Sequence, residues 1–466
     1  MTRQKAIDHV SAYFDSGKFR ADLSRRIARR TESQLEEAAP ALRAYLSDEI
    51  ATALDAMGFT TEIADNPIAG MPPVLLAQRI EAAHLPTVLI YGHGDVINGD
   101  ASNWTSGRSP WELQVEGERW YGRGTADNKG QHSINLGAIQ SVLHTRGSLG
   151  FNAKVIIEMG EEVGSPGLDE TCRLNATRLS ADLLIASDGP RQKASSPTIF
   201  LGSRGALHFR LTVRNEFGAR HSGNWGGVLA NPGTVLANAV ASLVDGHGRI
   251  RINGLLSPPI PTRVRELVSD LEVGADEGDP PLSGGWGEPG LTAAERIYAW
   301  NTLEVLAMRT GNVERPISAI PNAAEAVCQL RFVVGTDWRN AKAIITDHLR
   351  REGFPQVEVS IEASGSATRL DPDHAWVNWA HASIAATTAK AVTILPNLGG
   401  TIPNDCFATT LGLPTIWIPH SYPNCRQHAP DEHLLASVAR EALQLMTGLF
   451  WDLGDPYAAM PGRISA

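Results

Sequence analysis

Apolar side chains recur at helical spacing through the first ~60 residues, where Leu35, Leu42, Tyr45, Leu46 and Ile50 share a face with Arg and Glu between them. Met57-Gly58-Phe59 closes that helical region, glycine being the usual helix stop. The pattern then changes to short apolar runs, each ending beside glycine in a histidine or an acid. Thr87-Val88-Leu89-Ile90-Tyr91 runs into Gly92-His93-Gly94-Asp95, and Ala153-Lys154-Val155-Ile156-Ile157 into Glu158-Met159-Gly160-Glu161-Glu162. A third run, Asp182-Leu183-Leu184-Ile185-Ala186, leads to Ser187-Asp188-Gly189. Between them a helix is predicted from about Gly130 to His144, on the apolar positions Ile134, Ala138, Ile139, Val142 and Leu143. Buried strands alternating with a helix predict an α/β fold, a mostly parallel sheet flanked by helices. In such sheets ligands bind outside the carboxyl ends of the strands, and all three runs deliver their polar residues there.

From about Gly205 to Leu370 the pattern is different. Residues 206–214, 326–333 and 357–361 alternate like half-exposed strands, with helical stretches near 233–244 and 339–351. This predicts a separate α+β domain inserted into the first. The expected division is 1–205 for the first part of the main domain, 206–372 for the insertion and 373–466 for the second part. The apolar helix-strand pattern resumes through Leu413-Pro414-Thr415-Ile416-Trp417-Ile418, and the Gly/Pro-rich stretch 273–290 is expected to be a surface excursion.

Composition narrows the function class. A chain of 466 residues is long enough for two domains. With 42% hydrophobic and 20% charged residues it is an ordinary globular sequence. A net charge of −10 disfavours nucleic acid or an anionic membrane as partner. Cys172, Cys328, Cys406 and Cys425 form neither a CxxC pair nor a disulfide framework, which suits a reducing compartment. No stretch has the roughly 18 apolar residues of a membrane span, and the charged N-terminus lacks the apolar core of a signal peptide. A cytoplasmic location is expected.

The candidate chemistry lies at the strand ends. His93 and Asp95, two apart, project to the same side, and a carboxylate there suits the second nitrogen of a ligand histidine. Taken alone, the pair also describes a turn histidine. Asp127, in Gly122-Arg123-Gly124-Thr125-Ala126-Asp127-Asn128-Lys129-Gly130, stands just before the predicted helix, where aspartate is equally an ordinary N-cap. Glu161-Glu162 is harder to explain as structure: adjacent carboxylates at the end of an apolar strand need a positive partner. Asp188 and His428 extend the set. Imidazoles and carboxylates without thiolates suit Zn²⁺, Mn²⁺ or Co²⁺, and five such ligands suit two ions sharing a bridging carboxylate. His9, His132, His144, His247 and His348 are expected at the surface. His221, set among glycines and small residues in the insertion, is placed to present its ring outward.

These blocks resemble the co-catalytic zinc exopeptidase and amidohydrolase family of carnosinase-type dipeptidases, aminoacylase, glutamate carboxypeptidase and succinyl-diaminopimelate desuccinylase. The resemblance rests on GHGDVI at 92–97, YGRGTADNKG at 121–130, EMGEEVGSPGL at 158–168, SDG at 187–189, RHSGNWGG at 220–227, GGTIPND at 399–405 and QHAPDEH at 427–433. It implies two divalent ions, most readily zinc, with Asp127 bridging. His93 and Asp188 would complete one ion's shell, and Glu162 and His428 the other's. Glu161 would be the general base, and Asp95 would orient His93. It further implies that the insertion is a lid and homodimer interface, with His221 reaching the partner's site to bind the oxyanion. Arg331 and Gly399-Gly400-Thr401 would hold the substrate's terminal carboxylate. Two departures, Asn128 beside the bridging position and Ala-Pro-Asp-Glu after His428, leave every ligand in place.

The expected function is hydrolysis of dipeptides or small peptides with a free C-terminal carboxylate, by metal-activated water and a glutamate base. The same parts would also serve an N-acyl or N-carbamoyl amino acid amidohydrolase. A non-catalytic binding relative is disfavoured, because the base and all five ligands are present.

Overall fold

A computed structural model of the chain describes residues 2–274, 279–455 and 461. It divides into two compact units: Met1–Gly202 with Leu370–Leu395 and Pro403–Ala466, and Ser203–Arg369 with Pro396–Ile402. The segment 396–402, expected with the closing part of the main domain, therefore belongs to the inserted unit.

The first unit is built on an eight-stranded sheet. Its order is Thr60–Ala64, Val74–Arg79, Asn152–Glu158, Thr87–His93, Leu183–Ala186, Thr415–Trp417, Thr198–Phe200 and Thr393–Leu395. The four central strands, from Asn152–Glu158 to Thr415–Trp417, run parallel, and antiparallel pairing is confined to the flanks. Asn152–Glu158 is buried along its whole length, as a strand covered on both faces must be.

The predicted helix spans Lys129–Arg146 and packs against Arg3–Asp15 and Ala436–Leu453. Gly147, at φ +86°, ends it, its N–H returning to the Leu143 carbonyl. Ile139, Val142, Leu443 and Phe450 are fully buried in this layer, each stabilising the fold by about 1.5–3 kcal/mol. The helix is buried almost all round, polar residues included: Ser133 accepts from Arg26 at 2.7 Å, and Gln131 donates to the Ala126 carbonyl at 2.9 Å.

Three expectations need correction. The N-terminal region is not continuously helical: after Arg3–Asp15 and Lys18–Ile27 the chain leaves the helix until Glu36. There Thr31 donates its hydroxyl to Gly94 O (2.7 Å) and accepts Val96 N–H (2.9 Å), while Glu32 accepts from Gly99 N. These bonds to the loop after the Thr87–His93 strand override the local helical pattern. His132 and His348 are buried, not surface residues. His132 pairs its Nε2 with the Tyr45 hydroxyl at 2.7 Å, and His348 its Nε2 with Ser242 O at 2.8 Å.

The second unit is a four-stranded antiparallel sheet, ordered Thr302–Thr310, Ala323–Phe332, Gly205–Arg214, Glu358–Gly365. Burial alternates residue by residue along Ala323–Phe332. Leu207, Phe209, Cys328 and Leu330 form a core with Leu236 and Leu243 of helix Pro232–Leu243 and Ile345 and Leu349 of helix Ala341–Arg351. Residues 275–278 of the Gly/Pro-rich stretch lie outside the described residues. No helix among the described residues is long and apolar enough to cross a membrane.

Candidate metal centre

The parallel register sets the site. His93 ends its strand opposite Glu158, and Tyr91 faces Ala186 on the other neighbour. Glu161 and Glu162 therefore follow one neighbouring strand and Asp188 the other, all at the carboxyl edge of the sheet. Asp127 comes from the tight loop before helix Lys129–Arg146. That loop doubles back so closely, Gly130 N–H bonding Gly124 O at 2.9 Å, that a Cβ at Gly130 would strike the Thr125 carbonyl. Asp127 is not the helix cap: Asn128 holds that position, without a side-chain cap bond. His428 stands in the left-handed region at φ +58°, a conformation that non-glycine residues adopt mainly where the surroundings impose it.

These side chains converge. His93 Nε2 lies 3.0 Å from Asp127 Oδ1 and 3.6 Å from Asp188 Oδ2. His428 Nε2 lies 3.2 Å from Asp127 Oδ2 and 3.0 Å from Glu162 Oε2. The result is two trios that could each hold an ion, His93–Asp127–Asp188 and Asp127–Glu162–His428. Asp127 gives one oxygen to each. Zinc bonds of ~2.0–2.2 Å in a tetrahedron put neighbouring donors ~3.3–3.6 Å apart, so the trios need only small adjustment to close on a metal. The donor set fits divalent ions.

The supports are equally specific. Asp95 Oδ1 is 3.3 Å from His93 Nδ1, which leaves Nε2 to face the trio. The same carboxylate accepts the N–H groups of Glu161 (3.2 Å) and Glu162 (3.0 Å), tying the two acids to the histidine. Gln427 donates to Asp127 Oδ2 at 3.1 Å. Glu432 was not singled out in the sequence, yet its Oε1 accepts N–H from Gly124, Ala126 and Asp127 (2.9–3.0 Å) while Oε2 meets Arg123 at 2.8 Å. A fully buried glutamate thus fixes the loop that carries the shared carboxylate. Its only sequence signal was an acid close after His428 in the same block. Among the described residues, no hydrogen bond or ion pair engages the half-buried Glu161 carboxylate.

Without metal the cluster holds protons. Burial first, then Asp127, pushes Glu162 up to about 7, with His428 and His93 opposing, and Asp188 up to about 6, with His93 and hydrogen bonds from Gly189 and Asn128 opposing. Burial also raises Glu161 well above the carboxylate range; His93 opposes this, and Asp188, Glu162 and Asp127 add to it. Bonds to Asp127 and Glu162 push His428 up to about 11. His93 also rises, its bonds to Asp127 and Asp95 overcoming the opposing effect of burial. Ligation needs the neutral imidazole and the carboxylate, so metal entry must displace protons and metal affinity must fall as pH is lowered. Calorimetric titration of the metal-free chain with Zn²⁺, in buffers of different ionisation enthalpy, is expected to show net proton release. Buffer-independent heats would contradict it.

The remaining predicted residues belong to the second unit. Arg331 donates from Nη1 to Thr401 Oγ1 at 2.7 Å and from Nε to Gln329 at 3.0 Å. Thr401 in turn donates to Arg204 O (2.9 Å), and Arg204 Nε to Gly399 O (2.9 Å), so Arg331, Gly399 and Thr401 form one bonded cluster with Gly400 in its loop. His221 is exposed elsewhere in this unit; its Nδ1 accepts Gly223 N–H at 3.1 Å.

Known proteins resemble this chain in sequence and fold. It is 26% identical over 326 residues to the cysteinylglycine-S-conjugate dipeptidase of Corynebacterium striatum, across 67% of this chain and 68% of that one. It is 32% identical over 209 residues to the Beta-Ala-His dipeptidase of Homo sapiens, a stretch that covers 44% of this chain and 41% of the human protein, under half of its length. The fold superposes on the di-peptidase Dug1p from Saccharomyces cerevisiae with a TM-score of 0.80, covering 97% of this chain and 99% of that one at 20% identity. Residues 89–452 match the family described as Peptidase family M20/M25/M40. That match runs through every residue of both trios, and the chain belongs to peptidase family M20/M25/M40.

Proposed function

We propose that this chain is a metal-dependent hydrolase cleaving the peptide bond of dipeptides or small peptides that carry a free C-terminal carboxylate. The observation that carries the reading is Asp127, whose two oxygens face separate ligand trios. The dipeptidase names of the two sequence relatives support the substrate class. Five imidazole and carboxylate ligands without thiolate favour zinc, with manganese and cobalt as alternatives. When bound, two such ions would polarise the scissile carbonyl and make water acidic enough to react near neutral pH.

The protein's own groups do the rest. Asp127, His93, Asp188, Glu162 and His428 would hold the ions, and Asp95 fixes the His93 ring. Glu161, uncommitted among the described residues, takes the proton of the attacking water and returns it to the leaving nitrogen. Arg331, with Gly399, Gly400 and Thr401, binds the substrate carboxylate; bonds to Thr401 and Gln329 hold its guanidinium in a fixed plane. His221 donates to the oxyanion: with Nδ1 accepting from Gly223, the neutral ring carries its proton on Nε2. His221→Ala is expected to lower kcat about 10²–10³-fold with metal content unchanged; unaltered turnover would remove His221 from the mechanism.

The inserted unit would act as lid and homodimer interface, with His221 serving the partner's site. The edge strand Thr302–Thr310, which exposes Val305, Leu306 and Met308, supports such a surface. Four free, buried cysteines suit a cytoplasmic setting. The test is a panel of dipeptides, their C-terminal amides, and N-acetyl, N-succinyl and N-carbamoyl amino acids. Dipeptides are expected to be cleaved and their amides poorly. Preferential cleavage of the acylated amino acids would replace this reading with the amidohydrolase one.

A further inference from the structure

The Gly/Pro-rich stretch 273–290 supplies no residue to the proposed hydrolytic site, yet its described residues are built into the second unit rather than loose on it. Gly287 N–H bonds His247 O at 2.6 Å, and Arg249 Nε returns to Gly287 O at 3.2 Å. Arg296 Nε bonds Glu288 O at 2.9 Å. Gly248, at φ +75°, leaves room for the Trp286 indole, which a Cβ there would strike. The stretch thereby walls a cavity of about 530 Å³ lying wholly within this unit, a size that suits a small organic ligand.

The cavity has two kinds of lining. Leu282, Trp286, Ile297 and Trp300 give it apolar walls, and the guanidiniums of Arg204, Arg249 and Arg296 give it charge. Only Glu288 and Glu304 oppose them among the lining residues, so three guanidiniums against two carboxylates leave one net positive charge. Arg204 is buried, and its bonds go to the neutral oxygens of Gly399, Trp300 and Thr302, not to an acid. Burial, and then the Arg331 charge, push it down to about 10, with Glu304 opposing. Arg249 and Arg296 each commit Nε to a backbone carbonyl, and among the described residues their terminal N–H groups remain available as donors.

The geometry points to a second binding site, separate from the metal centre, for a small monoanion with an apolar body, such as an aryl or branched aliphatic carboxylate. One net positive charge matches a carboxylate better than a phosphate dianion, and an apolar body matches the tryptophan and aliphatic walls. Because Arg204 also holds the Gly399 carbonyl, an occupant there touches the same arginine that braces the Gly399–Thr401 loop.

The test is calorimetric binding of 3-phenylpropionate to the metal-loaded full chain, in wild type, Arg249→Gln, Leu282→Asp and Arg331→Gln. Saturable binding is expected. Arg249→Gln should weaken it about tenfold or more, as for loss of a hydrogen bond to a charged group. Leu282→Asp, a half-exposed wall position where the change adds a repelling charge without emptying a core, should weaken it as well. Arg331→Gln, which removes a like charge near Arg204, should not weaken it, and the neutral 3-phenylpropionamide should not compete. No binding, equal binding of the amide, wild-type affinity in both cavity variants, or loss of binding in Arg331→Gln would each overturn the assignment. Dipeptide turnover of the cavity variants is followed separately, so failure here leaves the hydrolase reading to its own test.

Discussion

Replacing Glu161 by glutamine is expected to lower kcat by roughly 10²–10⁴-fold, the span that general acid-base catalysis supplies, while KM and bound metal stay near wild type. The expectation follows from placement. Glu161 follows strand Asn152–Glu158 at the carboxyl edge yet belongs to neither trio, and its main-chain N–H is held by Asp95, the same carboxylate that orients His93. Glutamine keeps the shape and that backbone bond but cannot take a proton. Glu162→Gln should behave differently, because Glu162 Oε2 is 3.0 Å from His428 Nε2: metal content should fall along with turnover. Rate measurements paired with metal analysis separate the two. If Glu161→Gln lost its metal, or turned over normally, the base would have to lie elsewhere.

Asp127→Ala should be more damaging still. It is the one residue common to both trios, giving one oxygen to each, and removing its carboxylate leaves His93 and His428 without their common partner. Both ions should bind poorly. kcat/KM should drop by about 10³-fold or more, since Lewis-acid polarisation is worth several kcal/mol. A variant that kept full metal content and kept most of its rate would show that Asp127 does not bridge.

Much of this site was legible because strand ends advertise themselves. Apolar runs stopping at His93, Glu161-Glu162 and Asp188 mark the edge of a parallel sheet, and the structure brings His93 and Asp188 into one trio and Glu162 into the other. The alternation in 206–214 and 326–333 likewise announced a sheet exposed on one face, observed as Gly205–Arg214 paired with Ala323–Phe332. What could not be read depended on contacts distant in sequence. Glu432 braces a loop some three hundred residues earlier, and one acid near a histidine gives no hint of that. The sequence pattern places His132 at the surface, but Lys129–Arg146 is covered on nearly all sides and uses its polar residues for internal bonds. The non-helical stretch after Ile27 is dictated by its bonds to residues 94–99, and local periodicity cannot reveal that.

The most direct measurement is metal content together with dipeptide hydrolysis, on protein purified without chelator, after chelation, and after metal is returned. About two ions per chain, as a shared-carboxylate centre requires, with cleavage lost on chelation and restored by Zn²⁺, Mn²⁺ or Co²⁺, is the predicted result. Protein that holds no metal and gains no activity when metal is supplied would contradict the account at its centre.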